Sequence, residues 1–304
     1  SIPIKELIKK TQIDPSHIDD VIIGCANQAG EDNRNVARMA LLLAGIPYNV
    51  PGETINRLCA SGMSSIIHAH RAIKANDGDL FISGGVENMT RGPLVISKAS
   101  TAYGRDSKMF DSSFGWRFIN PLLDKLYGTD SMGTTAENLV SKYNISREDQ
   151  DKFAYNSQMK ASLSQKNGVF EQEIVKVVIP QRKKEDIIFD KDEFIKPNTS
   201  VEILSKLRAA FKKDGSVTAG NSSGLNDGAA AMLLSSDEGL KKFNLKPKAR
   251  IISSAVVGVE PKIMGIGPVY ASIKALNKAN LSLDDMDVIE INEAFSAQAL
   301  ACIR

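Results

Sequence analysis

Ile4-Lys5-Glu6-Leu7 runs through Pro15-Ser16-His17-Ile18-Asp19-Asp20 into Val21-Ile22-Ile23-Gly24. The same order returns late in the chain as Ile273-Lys274-Ala275-Leu276, Leu281-Ser282-Leu283-Asp284-Asp285 and Val288-Ile289-Glu290-Ile291-Asn292. Each copy reads helix, Asp-Asp turn, buried strand. Any two αβ units share that order, whereas a true duplication predicts two related α/β halves. Between the copies, Leu80-Phe81-Ile82-Ser83-Gly84-Gly85 is a short apolar run ending in glycines, as expected of a strand in a helix-covered sheet.

From about Arg91 to Thr218 the texture changes. Helical patterns span Thr135 to Tyr143 and Arg147 to Asn167, a strand is predicted near Ile174 to Ile179, and Gln181 to Asp192 is a charged stretch. This region is too long for a loop and too broken for a sheet core, so it reads as an inserted lid or loop domain. The small-residue run from Val217 to Gly228 then returns the chain to a core strand over Ala229 to Ser235. The predicted organisation is a first α/β half from residues 1–90 and 225–247, an insertion over 91–224, and the start of a second half over 248–304.

With 38 basic and 36 acidic side chains and 42% hydrophobic residues, the 304-residue chain can bury roughly three quarters of its unfolded surface, which excludes disorder. A net charge of +2 gives no general footprint for nucleic acid or an anionic membrane. No apolar run approaches the roughly 18 residues of a spanning helix, and no leader precedes the first helical pattern. The chain is therefore expected to be soluble and cytoplasmic. Cysteines at 25, 59 and 302 form neither a paired framework nor a metal-ligand spacing, so reduced thiols and no metal are expected. All three histidines, His17, His68 and His70, fall in the first quarter.

Thr54-Ile55-Asn56-Arg57-Leu58-Cys59-Ala60-Ser61-Gly62-Met63 places a cysteine where an extended segment turns into a helix. Met63, Ile66, Ile67, His70 and Ile73 recur at helical spacing and predict that helix's buried face. A thiol there meets the positive end of the helix dipole and unpaired backbone N–H groups, which favour a thiolate. Small neighbours leave a substrate room to reach the sulfur, as a covalent nucleophile requires. A buried structural cysteine is the competing reading. His68 and His70 follow nine and eleven positions later on the same helix, about 14 to 16 Å away, so neither serves as its base.

Five segments in order along the chain carry a family resemblance: Asn56 to Gly62, Ser83-Gly84-Gly85-Val86-Glu87-Asn88-Met89, Met132-Gly133-Thr134-Thr135-Ala136-Glu137-Asn138, Thr218 to Ala230, and Asn292-Glu293-Ala294-Phe295. Together they resemble the thiolases. Gly30 to Arg38 and Trp116-Arg117-Phe118-Ile119-Asn120-Pro121 look most like the branch of β-ketoadipyl-CoA and acetyl-CoA acyltransferases. The resemblance implies a five-layered αβαβα enzyme of two similar halves with a loop domain that holds coenzyme A as substrate. No tightly bound cofactor is implied, and a homodimer or homotetramer is the usual assembly.

Carried over position by position, Cys59 matches the nucleophile that takes the acyl group as a thioester, during cleavage of a 3-oxoacyl-CoA or condensation of two acyl-CoAs. Asn292 matches the asparagine that positions a water in an oxyanion hole, although an asparagine at this place would also suit a helix cap. Ala294 and Phe295 match the acyl pocket. Met132, Lys196, Phe211, Ala219 and Ser223 match CoA-contacting positions: Ser223 hydrogen-bonding the pantetheine, Phe211 and Met132 packing on it, and Ala219 leaving room for the arm. Some relatives carry arginine at Lys196, and biosynthetic ones carry histidine at Ser131. The basic clusters Arg182-Lys183-Lys184 and Lys206, Arg208, Lys212, Lys213 suit either CoA phosphates or a solvated face.

Two family segments do not occur in these 304 residues: a Gly-His-Pro segment, whose histidine activates the nucleophile, and a Cys-x-Gly segment, whose cysteine is the general acid and base. The repeat points the same way. Cys59 lies 55 residues beyond Ile4, and the equivalent distance beyond Ile273 passes Arg304. Helical patterns at both ends look entered part-way, and the family's opening strand with its Arg-Thr-Pro segment is absent. The sequence thus reads as a thiolase truncated at both ends with an incomplete second half. A non-catalytic thiolase-fold subunit that binds acyl-CoA is the alternative.

Overall fold

The computed structural model describes residues 1–304. In chain order its elements are α1 (Ile2–Thr11), β1 (Asp20–Gly24), α2 (Val36–Leu43), β2 (Gly52–Ile55), α3 (Ser61–Ala75), β3 (Leu80–Glu87), β4 (Leu94–Ile96), β5 (Met109–Asp111), α4 (Pro121–Tyr127), α5 (Met132–Tyr143), α6 (Arg147–Lys166), β6 (Val177–Ile179), β7 (Ile187–Phe189), α7 (Val201–Ser205), β8 (Gly228–Ser235), α8 (Asp237–Lys242), α9 (Gly267–Ala279) and α10 (Ser296–Ile303). They form two units, one from Ser1–Phe114, Val175–Phe189 and Leu225–Ile251, the other from Gly115–Ile174, Asp190–Gly224 and Ile252–Arg304.

The first unit is built on a sheet of order β2-β1-β3-β8, with β1 parallel to both its neighbours and β8 antiparallel to β3. Strand alternation divides its apolar residues between two layers. Val21, Ile23, Leu80 and Ile82 pack with Ile4 of α1 and Leu41 of α2. Ile22 and Phe81 face the other way, onto Ala69, Ile66 and Ile73 of α3. Val21, Ile22 and Ile23 are all buried, so the unbroken apolar run of β1 is the signature of a strand covered on both faces. A one-residue slip would exchange the faces of every side chain, which pins the register.

The start of α3 differs from its predicted face. Met63 is 68% exposed, while Ser61, Ser64, Ser65, Ile67 and Ala69 are buried. Small side chains take the sheet-facing positions because the helix start lies against backbone: a Cβ on Gly24 would sit 2.2 Å from the Ser61 carbonyl carbon. Further along, Ile66 and Ile73 do pack on the sheet, as the spacing predicts.

The second unit is mainly helical. Leu139, Ile145, Ile263, Ile266 and Ala301 form one core cluster, drawing on α5, the turn Pro261–Ile266 and α10. Ser131 and Ser146 cap α5 and α6 by accepting the N–H groups of Thr134 and Asp149. The predicted strand Val288 to Asn292 is not formed. Val288 is 84% exposed, and no segment pairs with it. Its counterpart β1 is flanked by β2 and β3, and a strand without neighbours leaves its backbone groups unpaired. The charged stretch Gln181 to Asp192 contains β7, which pairs antiparallel with β6. Residues 91–114 and 175–189 of the predicted insertion fold with the first unit, and the remainder, up to 224, with residues 252–304.

Candidate active site

Cys59 stands on the turn between β2 and α3. The turn is closed by local bonds: Ala60 N–H donates to the Arg57 carbonyl at 3.1 Å, and Ser61 N–H to that of Leu58 at 2.9 Å. The Ser61 hydroxyl accepts from Arg57 N–H at 2.8 Å and donates to Leu58 O at 2.6 Å. Asn56 braces the entry, accepting from Leu58 N–H and donating to the Ala26 carbonyl. This closure holds Leu58 at a φ of 50°, a left-handed conformation unusual for leucine. The consequence is a thiol held outward: Cys59 is exposed and immediately precedes Ala60, the N-cap residue of α3.

Glycines set how closely the helix start approaches the sheet. Besides Gly24 against Ser61, a Cβ on Gly85 would meet Gly62 Cα at 3.2 Å. Ser65 locks this seam, its hydroxyl accepting from Gly84 N–H at 3.0 Å. The positive end of the α3 dipole therefore stands beside Cys59 over a seam of nearly bare backbone.

The other two thiols have different surroundings. Cys25 is buried, its thiol pushed up to about 12, first by burial. Its Sγ donates to Asp32 at 3.5 Å, while Glu87 accepts from the N–H groups of Ala26 and Asn27. Cys25, Asp32 and Glu87 bring their potential ligand atoms within 4.8 Å of one another. The Cys25–Asp32 contact and the two Glu87 bonds to the backbone hold the loop after β1. Cys302, half-buried on α10, is also pushed up by burial. Cys59 is thus the only exposed thiol of the three.

The three histidines differ in their surroundings. His17 is exposed, with its ring 5.1 Å from that of Phe243. His68 Nδ1 lies 3.6 Å from the Glu53 carboxylate. His70 is half-buried, and its imidazole is held below its usual value, first by burial and then by Lys74 and Arg71.

Asn292 and the candidate CoA-contact and acyl-pocket residues belong to the second unit, as does the cluster Lys206, Arg208, Lys212 and Lys213, whereas Arg182-Lys183-Lys184 belongs to the first. Phe211 lies edge-on to Phe295, with centroids 5.9 Å apart, and fills the space where a side chain on Gly133 would sit. Ser223 N–H donates to the Ala294 carbonyl at 2.9 Å, and Ser222 pairs with Phe295 as an isolated bridge. Phe211, Ser223, Ala294 and Phe295 are therefore brought together, with Met132 adjoining through Gly133. Ala219 and Ser223 are exposed. Lys196 places its ammonium 5.3 Å above the Phe194 ring, and that ring occupies the space beside Gly224. Both basic clusters are exposed.

Asn292 is exposed on the segment leading to Phe295, and α10 has Phe295 rather than Asn292 at its N-cap, so the capping role is excluded. The next residue, Glu293, is held by the Ser157 hydroxyl of α6. Sequence reasoning overlooked the groups that hold the loop 216–223. Buried Glu137 accepts the N–H groups of Ser216 and Val217, both at 2.8 Å. Buried Asp151 accepts from Asn221 at 3.0 Å and from Arg147 at 2.8 Å. Glu137 lies in the family-like segment Met132 to Asn138 without a role being read from it there, and Asp151 is one acidic residue in the polar helix α6.

Comparison with known proteins completes this picture. Residues 1–238 match the family described as "Thiolase, N-terminal domain", and residues 245–304 match "Thiolase, C-terminal domain". The chain is 54% identical along its whole length to a β-ketoadipyl-CoA thiolase of Acinetobacter baylyi, and spans 76% of that relative. It is 53% identical to a 3-oxoadipyl-CoA/3-oxo-5,6-dehydrosuberyl-CoA thiolase of Escherichia coli, with the same coverage. A crystal structure of the Bacillus anthracis acetyl-CoA acetyltransferase superposes with a TM-score of 0.90 at 41% identity, covering 99% of this chain and 75% of that one. The fold is the thiolase fold, and the chain belongs to the thiolase family of acyl-CoA acyltransferases.

Proposed function

We propose that Cys59 is the acyl-accepting nucleophile and that a 3-oxoacyl-CoA is the substrate. In the degradative direction the Cys59 sulfur attacks the 3-oxo carbon, the C2–C3 bond breaks, and acetyl-CoA leaves once C2 is protonated. The acyl group remains on sulfur as a thioester until the thiol of a second CoA collects it. Condensation of two acyl-CoAs is the reverse. Asn292 positions a water toward the substrate thioester oxygen, where negative charge develops. Phe211 and Met132 pack on the pantetheine, Ser223 hydrogen-bonds it, Ala219 leaves it room, and Ala294 and Phe295 line the acyl pocket. Lys196 meets the nucleotide end. This assignment keeps residues 91–224 as the CoA-holding insertion between two thiolase halves, 1–90 with 225–247 and 248–304.

The observation that carries the proposal is the exposure of Cys59 alone among the three thiols, on a closed turn at the start of α3. The names of the relatives support a dicarboxylic 3-oxoacyl chain as the substrate; a place in fatty-acid metabolism is part of the proposal. Exposed Leu94 and Ile96 on β4 and Met109 on β5 support a homodimer or homotetramer. No helix is long and apolar enough to cross a membrane, in keeping with the proposed cytoplasmic location. Treatment with a haloacetyl-CoA followed by peptide mass analysis tests the nucleophile. Cys59 is expected to carry the label, free CoA to protect it, and Cys59→Ser to remove it. Labelling of Cys25 or Cys302 in place of Cys59 would overturn the assignment.

A further inference from the structure

The loop 216–223 and the segment 292–296 carry candidate groups of two kinds, the CoA contact Ser223 and the oxyanion-hole and acyl-pocket residues Asn292, Ala294 and Phe295. One buried side chain lies at their junction. Asn221 is 2% exposed. Its side-chain oxygen accepts Thr218 N–H at 2.7 Å, and its amide donates to Asp151 Oδ1 at 3.0 Å and to the Ser216 carbonyl at 3.2 Å. Its backbone carbonyl accepts Ser296 N–H at 2.9 Å. The side chain therefore folds the loop onto α6, while the main chain of the same residue holds the start of α10. Two further ties, Ser223 N–H to the Ala294 carbonyl and the Ser222–Phe295 bridge, depend on the loop keeping that shape.

We propose that Asn221 is a positioning residue that joins the CoA loop and the Asn292 segment into one piece, so that CoA on Ser223 also orders Asn292. The inference rests on the placement of CoA and Asn292 given above. Asp151 is the anchor of this joint, since Arg147 neutralises it from the other side at 2.8 Å. A buried carboxylate with both a charged and an amide partner fixes the orientation of Asn221 more firmly than a neutral acceptor would.

Hydrogen exchange read by peptide mass tests the joint in the 304-residue chain. Without ligand, Asn221→Ala is expected to speed exchange over 292–298 by about tenfold while α5 exchanges as before, the scale of one lost buried hydrogen bond. With CoA, wild-type protein is expected to slow exchange over both 216–223 and 292–298, whereas the variant binds CoA about tenfold more weakly and protects only the loop. Unchanged exchange over 292–298 in the unliganded variant overturns the proposal. A wild-type chain that binds no CoA refutes the ligand assignment alone, because the unliganded comparison still reads the joint. Should Asn221→Ala fail to fold, a charge exchange decides the matter. Asn221→Asp faces Asp151 with a second carboxylate and is expected to loosen 292–298, while adding Asp151→Asn restores an amide–carboxylate pair and slow exchange. A folded double variant still as loose as Asn221→Asp also overturns the proposal.

Discussion

Replacing Gly24 by alanine tests whether the close approach of α3 to the sheet sets the Cys59 turn. The added methyl group would stand 2.2 Å from the Ser61 carbonyl carbon, 2.4 Å from Gly62 N and 2.4 Å from Ser61 O. All three are backbone atoms at the start of α3, so no rotamer change relieves the clash; the helix start must move away from β1. Overpacking a tight interior costs about 1 to 3 kcal/mol, and a contact with backbone alone belongs at the upper end. About 3 kcal/mol lowers the melting temperature of a unit of this size by about 6 to 12 °C.

Gly62→Ala is the matched control on the helix side of the same seam. Its nearest neighbours outside the helix would be Gly84 O and Gly85 Cα, both at 3.8 Å, an ordinary contact distance. Alanine also favours the helix over glycine by up to about 1 kcal/mol. Circular dichroism melts of the two variants are therefore expected to diverge, with Gly24→Ala well below wild type and Gly62→Ala at or above it. Haloacetyl-CoA labelling of Cys59 is expected to slow in Gly24→Ala below its transition, because the turn is displaced before the unit unfolds. A Gly24→Ala melt within 1 to 2 °C of wild type, about the effect of half a kcal/mol, would refute the role given to this seam.

Two other outcomes are open to direct measurement. The 304-residue polypeptide is expected to show no detectable acetoacetyl-CoA thiolysis, because no imidazole within about 14 Å along α3 serves Cys59 and no histidine follows His70; robust turnover in a spectrophotometric assay would show that another group activates the thiol. Glu137→Ala is expected to leave the N–H groups of Ser216 and Val217 without their acceptor, at about 1 to 3 kcal/mol each. Glu137→Gln keeps the Oε1 acceptor and is expected to lose much less, so thermal melts of equal depth in the two variants would contradict the bonding described.

The legibility of the chain depended on where each element finds its partners. β1 could be read because Val21, Ile22 and Ile23 are buried on both sides by α1, α2 and α3, all encoded nearby. α5 and α6 could be read as helical stretches near Thr135 to Tyr143 and Arg147 to Asn167. Val288 to Asn292 has the same local pattern as β1 but no neighbouring strand, so the pattern did not become a strand. β7 was hidden because Ile187, Ile188 and Phe189 pair only with β6 and stay exposed among charges. Cys59 was legible from its small neighbours; the exposure of Met63 was not, since the seam beneath it is made by glycines on β1 and β3.

The carboxylates behind the loop 216–223 were illegible for a related reason, and it explains why they are buried at all. Val217 is buried against Ala136 and Ala297, but Thr218, Gly220, Ser222 and Ser223 offer almost no apolar surface, so hydrophobic burial fixes only the start of this loop. The rest is held through its backbone N–H groups and the Asn221 side chain. Glu137 reaches two of its N–H groups from 79 and 80 residues away, and Asp151 reaches Asn221 from 70. Hydrogen bonds to a carboxylate are stronger than those to a neutral oxygen, and in a dry interior they are stronger still. A loop of small residues, as proposed for the pantetheine contact, is therefore held by carboxylate anchors on the helices behind it. In the sequence, Glu137 is one residue of a family-like segment and Asp151 one acid among several in α6, and nothing local tells that they reach this loop.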